Sequence, residues 1–174
     1  MKKVLMLLLL LLAVTVRVSA NSAAPVDRVT ELQDAALNYE AAANAQLSLA
    51  NSLLQSKQTD EPNETDPEIT RRRRNRNATL ELQAVDQLMG ASGNLDHAAR
   101  VWLAAAQSKI EPATKAYFQR LSRNATQKAT ALLRQSAELA ENAALEYASA
   151  GEPRSQSNAS HRAGRIREQL AGRR

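Results

Sequence analysis

The chain has 174 residues, with 23 Lys and Arg against 18 Asp and Glu, no cysteine, one Trp, one Phe and three Tyr. Thirty-three alanines stand against five glycines and five prolines. That composition excludes a disulfide-stapled fold, a Cys-ligated zinc site and thiol catalysis. β-Branched and aromatic residues are scarce, which argues against a sheet, and Ala is the best helix former, so the expectation is an all-α protein.

Lys2 and Lys3 precede an unbroken apolar run from Val4 to Val14, and Val18-Ser19-Ala20 is a small-residue exit. Charged start, short apolar core and small residues at −3 and −1 are the layout of a secretory signal peptide, residues 1–20, with cleavage after Ala20. A membrane span needs about 20 apolar residues, and this run stops well before Arg17. The last residues, Glu168 to Arg174, lack the hydrophobic tail of roughly 10–20 residues that a lipid-anchor signal requires. The mature chain is therefore expected to be exported, without a transmembrane helix or an anchor.

Residues 21–150 read as a helical bundle domain. Asp27 and Pro25 are helix-start signals. Val29, Leu32, Ala36, Tyr39, Ala43, Leu47, Ala50 and Leu54 then follow at spacings of three and four, one face of a long helix. Large and small residues alternate along that face, as in close helix packing. Residues 57–76 interrupt the pattern. Lys57 to Glu68 holds Pro62, Pro67 and five acidic residues and reads as an exposed loop, and the run Arg71-Arg72-Arg73-Arg74-Asn75-Arg76 follows at once. Helix signals resume near Ala78 with Leu82, Val85 and Met89 or Leu88. Gly90 to Asn94 suggests a turn, Gly90 stopping one helix and Asn94 capping the next. A stripe from Leu95 through Trp102 to Ile110 continues in phase past Pro112 as Tyr117, Leu121, Ala125, Leu132, Leu139, Ala143 and Tyr147, so Pro112 marks either a kink or a break. Residues 151–174, rich in Ser, Asn and Arg, read as a basic, disordered tail with at most a short helix around 162–170. The expected fold is an elongated antiparallel bundle, or a coiled-coil hairpin, of three to four helices. Its Ala-rich core is thin, so oligomerisation or docking onto a protein or glycan partner would add to its stability.

Charge is arranged in blocks. Residues 21–70 carry two basic and nine acidic groups, 71–76 five arginines, 77–150 seven of each sign, and the tail six Arg against two Glu. A nucleic-acid partner is not expected, because base stacking needs aromatics beside the basic groups and neither Arg-rich stretch has one. Four consecutive arginines, Arg71, Arg72, Arg73 and Arg74, also match the basic preference of secretory processing proteases. Cleavage there is one reading; the other is that the run simply begins the second helix.

Four N-x-S/T sequons occur, at Asn63, Asn77, Asn124 and Asn158, more than eleven asparagines would give by chance. In an exported eukaryotic chain they are candidate glycosylation acceptors. The only histidines, His97 and His161, stand apart with no ligand partner nearby, so no metal is expected. There is no glycine-rich phosphate loop, serine elbow or HExxH motif, and no cofactor or enzymatic activity is expected. Trp102, Tyr117, Phe118 and Leu121 are the one aromatic concentration and read as core packing.

The signal segment, the sequons and the Ala-rich amphipathic stretches (Ala41-Ala42-Ala43, Ala104-Ala105-Ala106, Ala140 to Ala144) together resemble the alanine-rich helical surface glycoproteins of African trypanosomes. The resemblance implies a coat or surface role. Members of that family usually end in a lipid-anchor signal, which these residues do not carry. The functional expectation is a secreted or surface-associated, non-enzymatic helical glycoprotein with a coat or contact role. The alternatives are a helical bundle that binds a ligand or a host protein, and a precursor processed at the Arg run.

Overall fold

A computed structural model of the chain describes residues 25–59 and 65–173. The signal segment, its cleavage point at Ala20 and the sequon at Asn63 lie outside the described residues. Those described residues form four helices: α1 (Pro25–Gln55), α2 (Pro67–Ala106), α3 (Pro112–Ser149) and α4 (Pro153–Ala171). Each begins with a proline. At the first helical position the missing N–H would have had no partner, and the fixed φ already suits a helix. At α2 the signal is doubled, because the Asp66 side chain caps the helix by accepting a hydrogen bond from the Glu68 amide at 2.8 Å.

The helices run up and down in chain order, α1 against α2, α2 against α3 and α3 against α4. The registers are written in the buried residues. Ala36, Ala43 and Ala50 of α1 recur every seven residues and are fully buried. They meet the equally buried line Ala84, Ala91, Ala98 and Ala105 of α2 in antiparallel order. A second α2 line, Ala78, Val85, Ser92, Ala99 and Ala106, and a third, Leu88, Leu95 and Trp102, keep the same period. Ala129, Ser136 and Ala143 repeat it on α3, and Ala150, the residue just past its end, continues the line. A strict period of seven is the repeat that keeps one seam of a 3.6-residue helix facing its neighbour along its length, as in heptad packing.

Small side chains on this seam let backbones approach. Ser92 Oγ donates to the Ala129 carbonyl at 2.9 Å, and Ser122 Oγ donates to the Ala99 carbonyl at 2.8 Å. A serine side chain reaches a neighbouring helix's backbone only when the two helices are close. Bulk is concentrated at the far end, where Trp102 stacks on Phe118 with centroids 5.5 Å apart and gives its indole N–H to Glu40 at 2.8 Å. The aromatic concentration is therefore core packing, but Phe118 enters the core while Tyr117 stays half exposed, where Arg120 covers its ring.

Four sequence expectations are corrected. The glycines at 90 and 93 make no turn: α2 runs through both, and Asn94 caps nothing. Each costs roughly 1 kcal/mol relative to Ala, which burial of Leu88, Ala91, Ser92 and Leu95 around them offsets. Gly90 has a packing role as well. A Cβ there would meet the Gln46 amide at 2.5 Å, and that amide accepts from Asn94 Nδ2 at 2.9 Å. Pro112, in contrast, marks a true break, with residues 107–111 joining α2 to α3.

The second correction concerns the extent of the interruption at residues 57–76: α2 begins at Pro67, so the Arg run begins the second helix, as one of its two readings had it, and is not part of the loop. The third is the tail. Residues 153–171 are not disordered but form α4, with Ala159, Ala163 and Ile166 buried against α3 residues such as Leu133, Ala137 and Ala140. Gly151 makes the reversal before it. Its φ of 74° is open to a residue without Cβ, and the Gly151 and Glu152 amides close back on the Ala148 and Tyr147 carbonyls at 3.1 and 2.9 Å. Finally, a turn at Gly90 to Asn94 would have put His97 in the first turn of a new helix; with α2 continuous it lies deep within that helix, exposed and stacked on Tyr39 at 5.2 Å.

Candidate functional site

The densest polar chemistry lies where α1 ends and α2 begins. Glu81 sits seven residues before Leu88, so it continues the line Leu88, Leu95, Trp102 and is carried into the core by the same heptad geometry; it is 2% exposed. Its Oε1 pairs with Lys57 Nζ, which reaches in from the segment just past α1 and keeps 30% of its side chain in water. Oε2 is buried with no hydrogen-bond partner among the described residues. Burial pushes the Glu81 carboxyl above its usual range, Lys57 draws it back, and the nearby Glu146 of α3 adds to the upward push.

One turn earlier Asn77, 5% exposed, holds the same segment. Its Oδ1 accepts from the Gln58 amide at 3.0 Å and its Nδ2 donates to the Gln58 carbonyl at 2.8 Å. Lys57 and Gln58 are thus pinned to adjacent turns of α2. Thr79 shares a hydrogen bond with the Tyr147 hydroxyl at 3.1 Å, linking α2 to α3 beside the pin. Outside it lies a cavity of about 590 Å³ bordered by Lys57, Thr59, Ile69, Arg72, Arg73 and Arg76. The arrangement locks two helices together around a carboxyl that takes up a proton more readily than a solvated one.

The other predicted sites are dispersed. Asn124 on α3 and Asn158 on α4 are exposed and open to modification. Asn77 is not: a glycan on Nδ2 would have to displace Gln58 from a buried amide, so this acceptor is withdrawn for the folded chain. The four arginines occupy the first turns of α2. Arg71 pairs with Glu152 at 2.9 Å, Arg72 with Glu68 at 2.8 Å, and Arg73 is 8% exposed. Processing proteases bind extended chain, so cutting there requires these turns to unwind. Among the described residues no three His, Cys, Asp or Glu side chains gather as metal ligands, and no helix is long and apolar enough to cross a membrane.

Sequence reasoning missed Glu81, Lys57 and Asn77 as a unit. A signal existed, since a Glu standing on a seven-residue apolar line is out of place by pattern. Seeing it needs the α2 register, which an expected turn at Gly90 obscures. Comparison with protein-family models, curated proteins and solved structures gives no match, so these residues are interpreted on their own geometry.

Proposed function

We propose that the chain is an exported helical glycoprotein that acts by surface contact, in a coat or in adhesion, and not by catalysis. The observation that carries this reading is the placement of Asn124 and Asn158 on the outside of the bundle, in a chain whose first twenty residues have the layout of an export signal. The style-level resemblance to alanine-rich surface glycoproteins points the same way. In this reading the heptad seam of small residues is the scaffold. α2, with 40 residues at about 1.5 Å each, holds the bundle out over roughly 60 Å. Glu81, Lys57 and Asn77 fasten the connected end of the α1–α2 hairpin, where the chain leaves α1.

Expression of the full chain in a eukaryotic secretory host tests the proposal. Medium should contain protein beginning at Asn21. Amide-cleaving glycosidase should lower its mass, with one step lost in Asn124→Gln, one in Asn158→Gln and none in Asn77→Gln. Retention inside the cell with residues 1–20 intact would overturn it.

A further inference from the structure

The arginine run that dominates the sequence is partly neutralised in the fold, since Arg71 and Arg72 both have carboxylate partners. A second, longer stretch of positive charge lies elsewhere. Between Pro112 and Ala137, α3 carries Lys115, Arg120, Arg123, Lys128 and Arg134 and not one acidic residue. α4 lies along the surface that α2 and α3 form together, parallel to α2, tied there by Arg162 to Asp86 and by Arg173 to Asp96. It stops at Ala171, level with Asp96 on α2 and Thr130 on α3, while those two helices continue. The surface beyond is an open groove.

Two cavities make up this groove, of about 480 and 390 Å³, and they share Thr130 and Arg173. Arg134 and Arg167 border the first; Arg100, Leu103, Ser122 and Thr126 border the second. Among the described residues the only carboxylate lining either is Asp96, and both its oxygens are occupied by Arg173. Arg167 has a partner in Glu141 yet keeps 63% of its side chain exposed. Among the described residues no carboxylate pairs with Arg100 or Arg134. The groove therefore presents four guanidinium groups, of which Arg173 and Arg167 have carboxylate partners and Arg100 and Arg134 have none among the described residues.

The floor narrows the ligand. The hydroxyls of Ser122, Thr126 and Thr130 each donate to a backbone carbonyl, of Ala99, Ser122 and Thr126, at 2.8, 3.1 and 2.9 Å. Their protons are committed, so their oxygens are left as acceptors for a ligand's own O–H groups. Among the described residues no aromatic lines either cavity, so the stacking platform that a nucleic-acid strand needs is missing there. Apolar anchors are few, Leu103 and Leu170, too few for an amphipathic acidic helix laid in a groove.

We propose that the groove beyond the end of α4, lined by Arg100, Arg134, Arg167 and Arg173 over a floor of Ser122, Thr126 and Thr130, binds a sulfated polysaccharide chain. Sulfates engage the guanidinium groups through charge-assisted hydrogen bonds, and ring hydroxyls donate to the Thr and Ser oxygens. The assignment names the partner class for the contact role above and rests on that reading for its biological setting, though the binding itself does not require export.

Isothermal titration of the mature chain, residues 21–174, with a size-defined heparin oligosaccharide tests it. Binding should be saturable and weaken steeply between 50 and 150 mM NaCl, as displaced counterions dictate. Arg100→Ala/Arg134→Ala/Arg167→Ala should lose affinity on the order of tenfold or more at an unchanged melting temperature. Arg71→Ala/Arg72→Ala, at the far end of α2, should stay within about twofold. If the triple variant melts early, Arg134→Glu, a single exposed position, decides instead. The proposal fails if the wild type does not bind at 50 mM salt, if the control pair loses as much as the triple, or if polyglutamate or single-stranded DNA of equal charge binds more tightly. A chain retained in cells that still binds the oligosaccharide defeats the export reading alone; an exported chain that does not bind defeats the groove alone.

Discussion

Replacing Lys57 by Met is expected to destabilise the bundle strongly at neutral pH and hardly at all in acid. Met keeps the apolar stem of the lysine and removes its charge. Glu81, 2% exposed, is left without a counter-ion. A buried carboxylate stripped of its partner costs about 3–5 kcal/mol if it stays charged. It has an escape, which is to take up a proton. From the ordinary value of 4.5 for such a carboxyl, holding a proton at pH 7 costs about 1.4 kcal/mol per pH unit, a ceiling near 3.5 kcal/mol. The smaller cost governs, so Lys57→Met should lose roughly 2–3 kcal/mol at pH 7, falling below about 1 kcal/mol near pH 4.5. Glu81→Gln keeps the shape, frees the partly solvated Lys57, and should change stability by less than about 1 kcal/mol. The double variant should resemble Glu81→Gln alone, giving a coupling of about 2 kcal/mol at pH 7 that vanishes in acid. The wild type should show the matching trend. Because burial raises the folded-state carboxyl above its unfolded value, the folded chain holds the extra proton. This group's contribution to stability therefore declines as pH rises from the unfolded value through the folded one. Urea unfolding followed by circular dichroism between pH 4 and 8 measures all four proteins. Lys57→Met within about 0.5 kcal/mol of wild type at pH 7, or a loss that does not shrink in acid, would refute the reasoning.

Other perturbations separate the remaining elements. Asn77→Ala removes both hydrogen bonds to Gln58 and should cost about 1–2 kcal/mol in the same assay, with early proteolysis after Lys57. Ile166→Ala opens a hole between α3 and α4 and should cost about 2–4 kcal/mol, with faster amide exchange confined at first to residues 153–171. Ala91→Leu forces bulk into the α1–α2 seam and should cost about 1–3 kcal/mol or more, whereas Ala41→Leu on the exposed side of α1 should be close to neutral in thermal melts.

The residues of α1 show what the sequence determines by itself. Ala36, Ala43 and Ala50 alternate with Leu32, Tyr39 and Leu47 at spacings that only a helix can bring to one side. The buried and half-buried residues of α1 follow that stripe from Val29 to Leu54. Helix periodicity is a local property and survives without knowledge of partners. The same is true of the break at Pro112, where a missing N–H and a fixed φ act on the chain directly. Where the local signal was weak, packing decided. Gly90 and Gly93 weaken a helix locally, but α2 is held on two sides, by α1 and α3, and their contacts outweigh the propensity of two residues. The first turns of α2 carry five arginines and scarcely an apolar residue, so no stripe announced them, although Asp66-Pro67-Glu68 is a helix start by its own chemistry. Composition made 151–174 look disordered, but Ala159, Ala163, Ile166 and Leu170 needed only the waiting surface of α3 to become a helix. The site follows the same division. Asn124 and Asn158 were legible as sequons; the polar surroundings of Asn158 pointed to exposure, whereas Asn124, beside the stripe residue Ala125, needed the fold to place it outside. That Asn77 is spent on Gln58, that Glu81 lies buried against Lys57, and that α4 ends early enough to leave a basic groove all depend on registers between helices. Those registers are fixed by the fit of small side chains across the seam, a property that no single helix contains.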